Sequence, residues 1–127
     1  MGEQKLLDSA VLIAALRDTD SHYEEAREIF MRGSKSHFAI SALTLAELLI
    51  RPNSLGSIHA TRTEQMIRNL VGTIHPIDSE IASASAKIRA SHKTKLPDAI
   101  IIATAIVSGN SLVTFDRKMM GIYERIK

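Results

Sequence analysis

Lys5-Leu6-Leu7-Asp8-Ser9-Ala10-Val11-Leu12-Ile13 sets a short apolar run, a carboxylate and a second, denser apolar run in immediate succession. Lys5–Leu7 suits a strand, and the apolar density of Ser9–Leu16 suits a helix, so Asp8 falls at a strand-to-helix junction. The same unit recurs further on. Residues 38–40 read as a strand, followed by a helix carrying Leu45, Leu48 and Leu49 that is expected to stop before Pro52; Glu47 lies within it. Residues 111–114 read as another strand, with Asp116 directly after it.

Between these units, residues 22–32 place Tyr23, Ala26, Ile29 and Phe30 on one helical face, opposite Glu24, Glu25, Arg27 and Glu28. Residues 52–57, rich in Pro, Asn, Ser and Gly, are expected to form a loop, and Thr63, Met66, Ile67 and Leu70 mark a further helix. Residues 73–77 are a third strand, after which Asp78 can cap a helix that buries Ile81, Ala84, Ser85 and Ile88. Pro97 and Asp98 open the most apolar helix, residues 99–107, which Gly109 and Asn110 end. Residues 117–127 are expected to hold a short helical turn and a weak last strand near residues 123–126. Strands alternating with helices predict an α/β/α sandwich around a short parallel sheet of four or five strands, because parallel neighbours need crossover connections.

A length of 127 residues with 45% hydrophobic composition predicts a single domain, 1–127, with a real core. The absence of cysteine excludes disulfides, thiolate metal sites, iron–sulfur clusters and a cysteine nucleophile. No apolar run approaches the ~20 residues of a membrane span and no signal-like segment opens the chain, so a soluble cytoplasmic protein without membrane contact is expected. P-loop and dinucleotide glycine patterns are missing. A net charge of +2 permits nucleic-acid binding without requiring it.

Active sites of open parallel sheets gather beyond the carboxyl ends of the strands. Asp8 and Asp116 follow strands, Asp98 opens the buried helix, and Glu47 lies about a turn into the helix after the second strand, so the four acids can converge at one sheet edge. Carboxylates so gathered repel one another unless a cation neutralises them, and an all-oxygen set suits Mg²⁺ or Mn²⁺. Such an ion can orient a water and stabilise charge on a phosphodiester. Each acid also has a structural reading: Asp8 and Asp116 as helix caps, Asp98 as part of a Pro-Asp helix start, and Glu47 as the far end of a capping box begun by Thr44.

Taken together, the segments Leu6-Leu7-Asp8-Ser9-Ala10-Val11-Leu12-Ile13, Ser41-Ala42-Leu43-Thr44-Leu45-Ala46-Glu47-Leu48, Leu96-Pro97-Asp98-Ala99 and Leu112-Val113-Thr114-Phe115-Asp116 resemble the PIN domain family, in particular its VapC-type toxin ribonucleases. Ala10 and Met119 depart from the family's usual Asn or Ser and its usual aromatic. The resemblance implies that Asp8, Glu47, Asp98 and Asp116 bind the metal and carry catalysis, with Ser9 and Thr114 supporting them. It also implies a metal-dependent endoribonuclease acting on RNA, a VapB-type antitoxin whose tail covers the groove between the early helices, and a homodimer. Water attack would leave 5′-phosphate and 3′-hydroxyl ends. The alternatives are a PIN-fold module that binds RNA or protein without cutting, and a receiver-like phosphoacceptor domain, which would expect adjacent acids after the first strand.

Lys87, Arg89, Lys93 and Lys95, with His92 among them, form a basic stretch before Asp98 that can hold an RNA backbone. Arg117 and Lys118 can assist and are left outside the catalytic set. The five histidines show no metal-ligand spacing, and the few aromatic rings argue against a base-stacking platform.

Overall fold

The structure, a computed structural model, describes residues 3–127. The chain runs β1 (Lys5–Leu7), α1 (Ser9–Leu16), α2 (Tyr23–Met31), a 3₁₀ turn (Lys35–His37), β2 (Phe38–Ser41), α3 (Ala42–Leu55), α4 (Ser57–Leu70), β3 (Thr73–His75), α5 (Ser79–Ser91), α6 (Leu96–Ser108), β4 (Ser111–Val113) and α7 (Arg117–Ile126). The four strands form one parallel sheet in the order β3-β2-β1-β4. Register is continuous across its centre, Leu6 standing opposite Ala39 on one side and Leu112 on the other.

Strand side chains alternate between faces, and each face of this sheet has its own core. Leu6, Ala39 and Leu112 pack with Ile81, Ile88, Ile102, Met119 and Ile122 from α5, α6 and α7. Leu7, Phe38 and Ile40 pack on the opposite side with Val11, Leu12, Ala26 and Ile67 from α1, α2 and α4. The layers are therefore helix, sheet, helix, as the alternation of elements predicts. Within α6, Ile101, Ile102, Ala103, Thr104 and Ala105 are all buried, which explains a helix that is apolar nearly all round.

Two expectations are corrected. First, α3 does not stop before Pro52 but continues to Leu55, so the anticipated loop over residues 52–57 shrinks to a hinge at Gly56. Pro52 removes one backbone donor, and the final turn gains side-chain donors instead: Asn53 Nδ2 to the Leu49 carbonyl at 2.8 Å and Ser54 Oγ to the Arg51 carbonyl at 2.6 Å. Gly56 ends the helix at φ 127°, ψ 159°, a region essentially closed to residues with a side chain. Second, residues 123–126 are the end of α7 and not a fifth strand. Met119, Ile122, Tyr123 and Ile126 recur at helical spacing and pack on the α5–α6 side of the sheet.

The third strand is also shorter than expected, closing at His75, while Asp78 caps α5 by accepting from the Ile81 amide at 2.9 Å.

Candidate active site

The chain winds from β1 outward through β2 to β3 and then crosses back to place β4 on the other side of β1. The direction of winding thus reverses between β1 and β4, the place where open parallel sheets leave a crevice. Asp8 follows β1 there and Asp116 stands just past the end of β4.

Asp8 is fixed from three directions. Its amide donates to the Val113 carbonyl at 3.0 Å, Oδ1 accepts from the Ser9 amide at 2.8 Å, and Oδ2 accepts from Thr114 Oγ1 at 2.8 Å. The same Thr114 oxygen accepts from the Asp116 amide at 3.0 Å. One hydroxyl therefore joins the two acids that flank the crevice. Asp116 Oδ1 caps α7 by accepting from the Met119 amide at 3.0 Å, which fixes its carboxyl group. Capping and a place at the crevice thus coexist for Asp8 and Asp116. For Ser9 it is the main-chain amide, rather than the hydroxyl, that holds Asp8.

Glu47 comes from the second turn of α3. The capping-box reading of Thr44 and Glu47 is overturned: the helix begins earlier, with Ser41 as its cap accepting from the Leu43 amide at 3.0 Å. Thr44 is a buried interior residue whose hydroxyl has no partner. Glu47 is accordingly not spent on capping. Asp98 lies in the first turn of α6, just after Pro97.

The electrostatics unite these positions. Glu47 is raised above the ordinary carboxylate value by partial burial and then by the charges of Asp8 and Asp98. Asp98 is raised by partial burial and then by Asp116 and Asp8, against a smaller lowering by Lys95 and Lys118. Each acid thus feels at least one other, and among the described residues none of the four forms an ion pair. The arrangement concentrates negative charge that Lys95 and Lys118 offset only in part, in an all-oxygen setting that fits a hard divalent cation. Among the described residues, no three His, Cys, Asp or Glu side chains form a ready-made ligand group.

Thr114→Val keeps shape and removes the shared hydroxyl, leaving Asp8 Oδ2 without a donor and the Asp116 amide without its acceptor. A loss of about 10–100-fold in metal affinity or cleavage rate is expected, with a near-native melting temperature, checked by metal titration and thermal melts. A loss below twofold would remove Thr114 from the site.

The basic stretch divides. Lys95 precedes α6 and acts with Lys118 on Asp98. Lys93 instead lines a cleft of about 410 Å³ with Arg117, Lys118 and Arg125 of α7. Lys87 and Arg89 stand exposed on α5 and do not line that cleft. Arg125 is absent from the sequence reading because its segment was expected to be a strand; on a helix, Arg117, Gly121 and Arg125 recur every four residues along one face. On the other side of the acids, Ile13, Leu16, Leu48 and Leu55 line a groove of about 300 Å³ between α1, α3 and α4, together with the charged side chains of Glu47, Arg17 and Arg51.

A three-layer parallel α/β protein with carboxylates gathered at its switch point defines the class. The PIN domain family model matches residues 5–124, and the chain belongs to that family. Its fold is similar to a toxin–antitoxin complex from Klebsiella pneumoniae, at 29% identity and TM-score 0.77 over 94% of this chain and 92% of that one. It is also similar to FitAcB from Neisseria gonorrhoeae, at 26% identity and TM-score 0.80 over 95% and 94% of the two chains. The sarcin–ricin-loop-cleaving toxin VapC20 of Mycobacterium tuberculosis shares the fold at 14% identity, with TM-score 0.75 over 93% and 94%. Among curated protein sequences, none matches. The receiver-like alternative is set aside, since that fold orders its strands 2-1-3-4-5 and this sheet runs β3-β2-β1-β4. Among the described residues no helix is long and apolar enough to cross a membrane.

Proposed function

We propose that the chain is a metal-dependent endoribonuclease, the toxin of a VapBC-type toxin–antitoxin pair, acting in the cytoplasm as a homodimer. Residues 1–127 would form a single PIN domain, of which Met1 and Gly2 lie outside the described residues. What supports the reading is that Asp8 and Asp116 flank the switch point, joined through Thr114 Oγ1, and that their charges act on Asp98 and, from Asp8, on Glu47.

Asp8, Glu47, Asp98 and Asp116 would hold Mg²⁺ or Mn²⁺, which when bound supplies Lewis-acid stabilisation of the phosphodiester and a more acidic water. Thr114 and the Ser9 amide orient Asp8 and Asp116, so their oxygens need little rearrangement when substrate arrives. One of the four carboxylates would accept the proton of an attacking water. Lys93 and Lys95 stand on the side of Asp98 where an RNA backbone would run, with Lys87 and Arg89 extending that path along α5. The groove beside Glu47, lined by apolar side chains together with Glu47, Arg17 and Arg51, suits the tail of an antitoxin, whose occupancy would cover one side of the acids. The Klebsiella and Neisseria neighbours, which come from a toxin–antitoxin complex and from FitAcB, support a protein partner of this kind.

The test is cleavage of structured RNAs by the purified chain with Mg²⁺, Mn²⁺ or EDTA, with the new ends mapped. Discrete cutting that needs metal and leaves 5′-phosphate and 3′-hydroxyl ends is expected. Terminal 2′,3′-cyclic phosphates, or cutting that persists in EDTA, would overturn the metal-and-water route.

A further inference from the structure

The cleft between the α5–α6 turn and α7 brings together Lys93, Arg117, Lys118 and Arg125 around Gly121. The bland reading of exposed cations is a solvated helix face, and single unpaired cations are common on this chain. What sets this cleft apart is that four of them line one cavity with no carboxylate among its lining residues. None of the four forms an ion pair among the described residues; Glu124, beside Arg125, pairs with Lys127 at 3.0 Å. Like charges gathered in one cleft repel, so the cluster costs stability unless an anion is to enter it.

Gly121 is a second and independent sign. It lies inside α7, where glycine is a poor helix former, at a position where a Cβ would meet no heavy atom within 4 Å. Packing does not require the missing side chain, and neither does backbone conformation, because among the described residues only Gly56 and Gly109 have positive φ. What the missing side chain leaves is open space on the cleft, where a ligand can approach the helix closely. The cleft also adjoins the acids: Arg117 follows Asp116 directly, and the charge of Lys118 reaches Asp98.

We propose that this cleft is a substrate-backbone site, in which Lys93, Arg117, Lys118 and Arg125 hold RNA phosphates flanking the scissile bond while Gly121 gives the strand room against α7. The assignment rests on the nuclease reading and extends it to the path of the substrate. The strand leaves the acids on the Asp98 and Asp116 side, away from the apolar groove beside Glu47.

Binding of a short fluorescein-labelled single-stranded RNA is measured across a KCl series with the full chain carrying Asp98→Asn, so that the probe stays intact. Adding Lys93→Gln and Arg125→Gln is expected to weaken binding about tenfold at low salt and to reduce the slope of log affinity against log salt by about 0.7 for each cation removed. Removing equal charge from α2 with Arg27→Gln and Arg32→Gln serves as the control and leaves the slope unchanged. Gly121→Ala is expected to raise the melting temperature by about 3 °C, and Gly121→Gln to weaken RNA binding about fivefold in a chain at least as stable as its parent. A merely structural glycine would not combine better folding with poorer binding. Unchanged affinity and slope in the cleft variant, or a loss matched by the α2 control, overturns the cleft while wild-type cleavage keeps the nuclease reading intact. A parent that binds no RNA, together with a wild type that cuts none, overturns both.

Discussion

Asp98→Asn is expected to lower RNA cleavage by about 10²–10³-fold while leaving the melting temperature at neutral pH equal to or above that of wild type. The two halves of this result have one cause. Asp98 is ionised in a partly buried place beside Asp116 and Asp8, and all three influences disfavour its charge. Its position in the first turn of α6 gives back some stabilisation from the helix dipole, on the order of 0.3–1 kcal/mol, and Lys95 and Lys118 add to it. Burial and the two neighbouring acids outweigh the two lysines, so Asp98 is raised. An isosteric amide therefore relieves repulsion, keeps a polar group at the helix start and removes an anionic oxygen from the cation's setting. Single-turnover cleavage alongside thermal melts checks the pair of effects. A folded variant that cuts at the wild-type rate would place the chemistry elsewhere, and a variant that loses activity only by unfolding would make Asp98 structural.

The positions of Asp8 and Asp116 were legible in the sequence because strand-acid-helix junctions are local: a few residues decide where the strand stops and which side chain stands past its end. Their convergence depended on strand order, which alternation of elements constrains without determining; that order placed β4 beside β1 and created the crevice. Glu47 was harder to read, because Thr44-Leu45-Ala46-Glu47 has the form of a capping box. Only the earlier start of α3, capped by Ser41, separates the two readings. The shared role of Thr114 was legible only as a small hydroxyl near the acids, since a bond from Thr114 to Asp8 spans 106 residues. The two differences in the fold have separate causes. At Pro52 local punctuation predicts a helix end, yet side chains of Asn53 and Ser54 support a further turn; over residues 123–126 the helical repeat runs back to Met119 and Ile122, outside the short segment read as a strand. The second difference also hid Arg125, whose membership in the basic cleft follows from that helical repeat.

The acids should also make the folded chain's stability depend on pH and on metal in opposite ways. Glu47 and Asp98 are both raised above their ordinary values of 4.5 and 3.8, so without metal the folded chain binds protons there more tightly than the unfolded chain does. Stability from this source is fully present below the ordinary values and is lost as pH rises through the raised ones. The stability of wild type relative to Asp98→Asn is therefore expected to fall with rising pH across that window, a comparison that cancels the acids that do not feel Asp98 and includes the part of the Glu47 shift that Asp98 causes. Mg²⁺ or Mn²⁺ reverses the loss by binding the ionised carboxylates of the folded state. At a concentration 100 times its dissociation constant, an ion that binds only the folded chain contributes about 2.7 kcal/mol, which for a domain of this size is a rise in melting temperature of about 10 °C. Below the ordinary pKa values protons compete for the same oxygens and the rise should nearly vanish, while Asp98→Asn should show a reduced rise at every pH. Calorimetry at several pH values, with and without the ion, reads these changes without reference to catalysis. A metal-induced rise of equal size in wild type and Asp98→Asn would assign the ion to other oxygens, and a wild type that gains nothing from either ion at neutral pH would remove the metal from this site.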